Sequence, residues 1–349
     1  MIREAIRKVV QGRSLSEEEM RAVMEQITDG EATPAQIGAL LAGLRMKGET
    51  AEEVSGAARA LKSRCLPFPA GGLRTETLVD TCGTGGDGSG TFNISTAAAF
   101  VAAGAGVRVA KHGNRAVSSR CGSADVLEAL GVSLDLSPGQ VGQALDRIGI
   151  GFFFAPLWHG SMGRVAGPRK ELGLRTIFNL LGPLANPAGA RVQVVGVFRP
   201  ELTELMARAL DRLGCLSALV VYGQGGYDEL TVTGPSRVTR LLGGRIRTFS
   251  LFPEAVGLDR AGPEELAGGG PAENAALIRS VLEGRPGARR DVVLLNAAAA
   301  LVAAGRARDL DQGVALAGEA IDSGRALAKL EGLAAISPSS PGQSRPRAA

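Results

Sequence analysis

The stretch Asp80–Thr96, DTCGTGGDGSGTFNIST, places five glycines within Gly83–Gly90, between two segments of different periodicity. Upstream, TLVDT alternates apolar and polar residues as a half-buried strand does. Downstream, NISTAAAFVAAGAG has the composition of a helix that Ser95 or Thr96 would cap. A strand, a loop free to take positive φ and a helix start leave several backbone N–H groups beside a helix's positive end. The pattern predicts an anion site, with phosphate as the best fit.

Gly83, Gly85 and Gly88 satisfy GxGxxG, the dinucleotide fingerprint, but the acid that would hold a ribose about 20 positions on is missing. The next strand-like segment, GVRVA at 106–110, runs instead into Lys111 and His112. No Gly-Lys-Ser/Thr follows either, which excludes the nucleotide P-loop. A second polar loop, KHGNRAVSSRCGSAD at 111–125, comes after that strand. Two successive strand-end loops would face one ligand, the first with backbone donors and Asp87, the second with Lys111, Arg115, Ser118 and Ser119. Such a pair suits a ligand with more than one phosphate.

Working outward, the chain of 349 residues, 45% apolar and 21% charged, is long enough for two domains with a sizeable core. Aromatic residues make up only 4% while glycine numbers 49, so close helix packing through Ala and Gly is expected. Cys65, Cys82, Cys121 and Cys215 show no CxxC spacing, which argues against a disulfide framework or a zinc site. The N-terminus IREAIRKVV is charged and amphipathic, and no apolar run reaches the roughly 20 residues of a membrane span. A soluble cytoplasmic protein with no membrane partner is expected. The net charge of +4 is small, partly in Arg345 and Arg347 of the tail, and stacking aromatics are scarce, so no nucleic-acid partner is expected.

Residues 1–65 carry helical signals throughout: an apolar face of Ile2, Ala5, Ile6, Val9 and Val10, a capping box at Ser16 and Glu19, Thr33 before Pro34, and Thr50 with Glu53. LPFPAGGLR at 66–74 reads as a hinge. Beyond it, strand-like segments TLVDTC, VRVAK, GVSLDL, IGFFFA, VQVVGVF and SALVVYG alternate with helical patterns. The expected class is α/β with a small all-α domain, the large domain having a central, mostly parallel sheet flanked by helices and binding ligands at the carboxyl ends of its strands. SPSSPGQSRPRAA at 337–349 reads as a disordered tail.

Two further constellations stand out. GQGGYDELTVTG follows the strand SALVVYG and sets Asp228 beside Glu229. Adjacent loop carboxylates are usually just solvated, but next to a polyphosphate site they match what Mg²⁺ asks for, one or two carboxylates together with substrate phosphates. In APLWHGSMGRVAGPRKELGLRTIFNLLGPLANP, at 155–187, Arg169 offers a fork for a carboxylate and His159 a flat ring with a nitrogen. Their bland alternatives are an ion pair of Arg169 with Glu171 and local packing of His159. His112 is as well suited to shaping its loop as to catalysis.

GTGGD at 83–87, NIST at 93–96, KHGNRAVSS at 111–119, GSADVLEALG at 122–131 and RTIFNLLGPLANP at 175–187, in this order, resemble the anthranilate phosphoribosyltransferases over nearly the whole chain. The resemblance implies a homodimer formed through the small helical domain, to which helices of about 168–187 return, leaving 75–167 and 188–336 as the catalytic α/β domain. It implies transfer of the 5-phosphoribosyl group from phosphoribosyl pyrophosphate to the anthranilate amine with loss of pyrophosphate, the second step of tryptophan biosynthesis from chorismate. Phosphoribosyl pyrophosphate would lie against Gly83, Gly86, Asp87, Thr91, Asn93, Ile94, Ser95, Thr96, Lys111, His112, Gly113, Asn114, Arg115, Ser118, Ser119 and Ser123. Anthranilate would lie near Gly83, Asn114, His159 and Arg169. Ser95, Asp228 and Glu229 match the family's Mg²⁺ positions, two ions per site, and Lys111, Asp228 and Glu229 are the expected catalytic groups. One departure is visible: the family's His-Pro-Ala-Met-Lys is His159-Gly160-Ser161-Met162-Gly163 here. A pyrimidine nucleoside phosphorylase, which shares the fold, is disfavoured by the paired acids and the KHGNR loop.

Overall fold

The computed structural model describes residues 1–69, 78–116 and 119–336. Most of the expected hinge, Ser118 and the expected tail therefore lie outside the described residues.

Four helices open the chain: α1 (Ile2–Val10), α2 (Glu17–Asp29), α3 (Pro34–Lys47) and α4 (Ala51–Ser63). Their starts are set locally. Ser16, Thr33 and Thr50 each accept the N–H three residues on, and Glu19, Gln36 and Glu53 return the bond to the cap's own N–H. Met20, Met24 and Ile27 of α2 meet Leu40, Leu41 and Leu44 of α3 and Val54 and Leu61 of α4 in one apolar core. At Gly56 a Cβ would collide with the Glu17 carbonyl, so only glycine lets α2 and α4 approach this closely. Two later helices, α9 (Gly163–Leu172) and α10 (Phe178–Leu181), pack on α2, α3 and α4, and their residues Val165, Phe178 and Leu181 enter the same core.

The rest of the chain builds one sheet from β1 (Val79–Gly83), β2 (Val109–Gly113), β3 (Ile150–Phe154), β4 (Val192–Gly196), β5 (Ser217–Gly223), β6 (Ser236–Leu242) and β7 (Arg245–Leu251). The order is β3-β2-β1-β4-β5-β6-β7. The first five are parallel and the last two antiparallel. Between β1 and β4 the connections part to opposite sides, the crevice where such sheets bind ligands. One sheet face, with Val195, Ala218 and Val220, continues the core of the four-helix unit. The other packs on α5 (Ile94–Gly104), α12 (Pro271–Leu282), α13 (Ala288–Ala303), α14 (Leu310–Asp322) and α15 (Arg325–Ile336). Small residues permit this: a Cβ on Gly104 would sit 2.8 Å from the Ala326 backbone. The remaining helices are α6 (Ser123–Ala129), α7 (Pro138–Arg147), α8 (Ala155–Trp158) and α11 (Leu202–Arg212).

Two strand expectations need correction. GVSLDL is not a strand: Val132, Leu134 and Leu136 are buried in alternation, but the segment joins no sheet ladder and serves as a connector into α7. The β6–β7 hairpin was not anticipated. It turns on Gly243 and Gly244, both at positive φ (54° and 78°), as a two-residue hairpin loop requires.

Candidate active site

The glycine loop leaves β1 at Gly83, and Gly85, Gly86, Gly88 and Gly90 all take φ between +66° and +75°. α5 then starts at Ile94 with Asn93 as its N-cap residue, so Ser95 and Thr96 lie in the first turn rather than capping it. Asn93 does not cap with its side chain. Its Nδ2 donates to the Cys121 carbonyl (3.1 Å) and its Oδ1 accepts from Asn274 (3.0 Å). The helix start is served from far away in sequence, because the Ser95 N–H donates to Glu229 Oε1 at 2.9 Å.

That carboxylate arrives on the loop after β5. Asp228, next to it, accepts the Gly85 N–H on Oδ2 at 2.7 Å. Burial pushes both carboxyls above their ordinary range. The negative charge of Asp87 adds to the effect on Asp228, and those of Asp228 and Asp87 add to it on Glu229. The two acids are thus enclosed by the site rather than solvated at a loop tip. With Thr81, Cys82, Ser95 and Asn296 they line a cavity of about 10 Å³, the room of one water-sized sphere. Among the described residues no three His, Cys, Asp or Glu side chains are grouped to hold a metal by themselves. Two carboxylates and the Ser95 hydroxyl around an ion-sized space fit Mg²⁺, a hard cation that completes its shell with water and substrate oxygens.

Lys111 crosses to this cavity from β2. Only 3% exposed, it donates through Nζ to the Thr81 carbonyl and reaches the Ser95 hydroxyl at 3.5 Å. Burial lowers its pKa, opposed by the charge of Asp80. Asp80, which sequence reading left without a role, is fully buried in β1 and accepts from the His112 N–H (3.1 Å) and Asn186 Nδ2 (2.7 Å). Asn186 also donates to the Ala110 carbonyl at 2.8 Å, so it too braces the strand bearing Lys111. An Asp within an apolar strand was the available signal for the first; nothing local marked the second.

The second polar loop is held mainly by its own contacts. Arg115 pairs with Asp125 and Glu128, which turns its guanidinium onto α6. Asp125 also accepts the Ala116 and Gly122 N–H groups, both at 2.9 Å. The Ser123 hydroxyl donates to the Asn114 carbonyl (3.3 Å), and a Cβ on Gly113 would strike that hydroxyl. Ser119 donates to the Cys121 carbonyl at 3.4 Å. In the first loop Asp87 accepts the Ser89 N–H (3.2 Å), and the Thr91 hydroxyl lies 3.2 Å from that of Ser89. Ile94 is buried, as is Thr96, whose hydroxyl has no partner.

His112 and His159, the two histidines of the chain, face each other with ring centroids 5.2 Å apart. His112 Nδ1 meets the Gly182 carbonyl at 3.1 Å, just past α10, and the Nε2 atoms of both rings are buried without partners. Burial, with His159 adding to it, pushes the pKa of His112 down to about 3; burial lowers that of His159 as well. Both rings are therefore neutral at pH 7. Arg169, on α9, lies over the Phe178 ring at 5.3 Å and makes no ion pair with Glu171; burial lowers its pKa. The structure thus gathers Gly83, Ser95, Lys111, Asp228 and Glu229 at the switch point, with His112 and His159 beside them and Arg169 on the flanking helix.

This pairing of a helical bundle with an α/β sheet is that of a glycosyl transferase family: residues 3–65 match its helical bundle domain and residues 75–327 its a/b domain. The anthranilate phosphoribosyltransferase of Moorella thermoacetica is 57% identical over 96% of this chain and 98% of its own. Among solved structures, the Thermus thermophilus enzyme of that name superposes with a TM-score of 0.89 at 48% identity, over 95% of this chain and 98% of its own. The Saccharomyces cerevisiae one, in complex with PRPP and Mg, gives 0.85 at 29%, over 96% and 97%. The chain belongs to the anthranilate phosphoribosyltransferase family.

Proposed function

We propose that this chain transfers the 5-phosphoribosyl group from phosphoribosyl pyrophosphate to the amine of anthranilate, releasing pyrophosphate, as the second step of tryptophan biosynthesis from chorismate. The observation that carries the reading is the ion-sized cavity where Asp228 and Glu229 meet the start of α5, directly beneath the glycine loop. Phosphates lie along the loop's N–H groups and the α5 N-terminus, with Lys111 Nζ held beside Ser95 at that helix start. Ser95, Asp228 and Glu229 would hold Mg²⁺, two ions per site. When bound, the metal neutralises charge developing on the departing pyrophosphate. Anthranilate lies toward Asn114, His159 and Arg169, with Arg169 on its carboxylate.

The chain's own residues position and screen. An aniline-type amine attacks without prior deprotonation, and the neutral rings of His112 and His159 offer a flat, weakly polar wall rather than a strong base. Holding the amine in line with the breaking bond is the larger contribution. Closing the helical unit over the site keeps water from the activated ribose. The chain forms a homodimer through the helical unit, where Val10 and Met46 are 65% and 89% exposed, and acts in the cytoplasm.

The test follows the loss of anthranilate fluorescence with purified protein, phosphoribosyl pyrophosphate and Mg²⁺, omitting each in turn. Loss that needs all of them supports the reading; a folded protein that leaves the fluorescence unchanged overturns it.

A further inference from the structure

Arg175, in the connection between α9 and α10, is exposed, yet its guanidinium is held by two contacts. It donates to the carbonyl of Gly86 and lies over the ring of Phe198 with its carbon 4.3 Å from the centroid. Arg199 covers the same ring at 5.6 Å. Neither arginine makes an ion pair with an acid among the described residues. Two residues beyond Arg175, Ile177 is fully buried in the core that α9 and α10 share with the first four helices. Phe198 lies two residues past the end of β4, so the ring stands at the carboxyl edge of the sheet.

What Arg175 holds is a loop with little rigidity of its own, since four glycines at positive φ set few conformational limits. Thr84 is tied to the Gly196 carbonyl (2.9 Å) at one end of the loop and the Gly90 carbonyl to Gly268 (2.9 Å) at the other. Between them the long-range ties are Gly85 to Asp228 and Arg175 to Gly86. Asp228 is the carboxylate proposed to hold the metal, so its tie to Gly85 competes with cation binding, whereas the Arg175 tie does not. A guanidinium stacked on Phe198 keeps its N–H edge aimed at the Gly86 carbonyl, a geometry lysine does not reproduce. With that carbonyl held by Arg175, the Gly86 end of the loop is fixed from the helical side.

We propose that Arg175 is a positioning residue for the phosphate-binding loop, fixing Gly86 from the helical side of the molecule through the Phe198 platform. The inference rests on the proposed function only for the choice of ligand. Calorimetric titration of pyrophosphate with Mg²⁺ into the full chain tests it, alongside KM for each substrate. Arg175→Ala should weaken pyrophosphate binding about tenfold, the scale of one hydrogen bond from a charged donor, and raise KM for phosphoribosyl pyrophosphate while leaving that for anthranilate unchanged. Arg175→Lys should not restore binding, and Phe198→Leu should weaken it in part. The double variant Arg175→Ala with Phe198→Leu should bind no worse than Arg175→Ala alone, because both act through one contact. Unchanged pyrophosphate affinity in folded Arg175→Ala, full rescue by lysine, or additive losses in the double variant each overturn the inference. Arg175-dependent pyrophosphate binding in a wild-type chain that does not consume anthranilate would instead uphold it and overturn the proposed function.

Discussion

The carbonyl oxygen of Asp228 occupies the space where a side chain on Gly196 would begin, and the Asp228 carboxylate does the same at Gly83. The last residues of two neighbouring parallel strands are thus kept bare so that the loop after β5 can lie across them. Neither glycine is needed for its backbone angles, because neither has positive φ. Gly196→Ala should therefore displace the acid loop and abolish turnover, at least about 100-fold in kcat/KM on the scale of misplaced reacting groups. Steady-state kinetics beside far-UV circular dichroism would separate this from unfolding.

Asp228→Asn with Glu229→Gln removes both charges from the cavity while keeping their shapes. Turnover should fall severely and the Mg²⁺ concentration for half-maximal rate should rise. Since burial opposes ionisation of both groups, the metal-free variant should melt no lower than the metal-free parent at pH 7, and the stabilisation that added Mg²⁺ gives the parent should disappear. Thermal melts with and without Mg²⁺ read both effects.

Arg169 sits on Phe178 and pairs with no acid among the described residues, so truncating it leaves none of their charges unpaired. Arg169→Ala should raise KM for anthranilate about tenfold or more, the scale of a charge-assisted bond. KM for phosphoribosyl pyrophosphate should stay near its parent value. The reverse pattern would place the two substrates the other way round.

The facing histidines predict an acid limb in the stability curve. Unfolded histidine titrates near 6.5, whereas folded His112 titrates at about 3 and His159 is lowered too. As pH falls below about 6.5 the unfolded chain takes up protons that the folded chain refuses, so this contribution is lost on acidification down to about pH 3. Urea midpoints across that range should show a shallower decline for His112→Gln. Because the chain has two histidines, their nitrogen resonances are assignable by that one substitution, and His112 should report a neutral ring at pH 6.

How much of this was readable beforehand depended on whether the cause was local. The caps of α2, α3 and α4 were legible because each is closed by residues three apart. The anion loop was legible from its glycines. The hairpin has a local signal too, Gly243-Gly244 between alternating segments. GVSLDL misled because alternation reports one buried side, not hydrogen-bonded pairing, and Val132, Leu134 and Leu136 satisfy the first without the second. What no window could show is contact between distant segments. Glu229 serves the start of α5 from 134 positions away, and Asn186 braces Asp80 from 106. Arg115 looked like a phosphate ligand by type and place, but Asp125 and Glu128 already engage it.

The core shared by the first four helices and one face of the sheet limits how the site can close. Leu61 of α4, Leu210 of α11 and Val220 of β5 belong to one continuous apolar cluster. At its rim Arg212 pairs with Glu17 and Glu52. Prising the two parts apart like a jaw would wet that cluster, at about 25 cal/mol for every Å² exposed. Sliding one layer over the other keeps the contact, because apolar packing has no preferred direction. A closing motion that keeps this core dry would have to be a shear of the helical layer over the crevice.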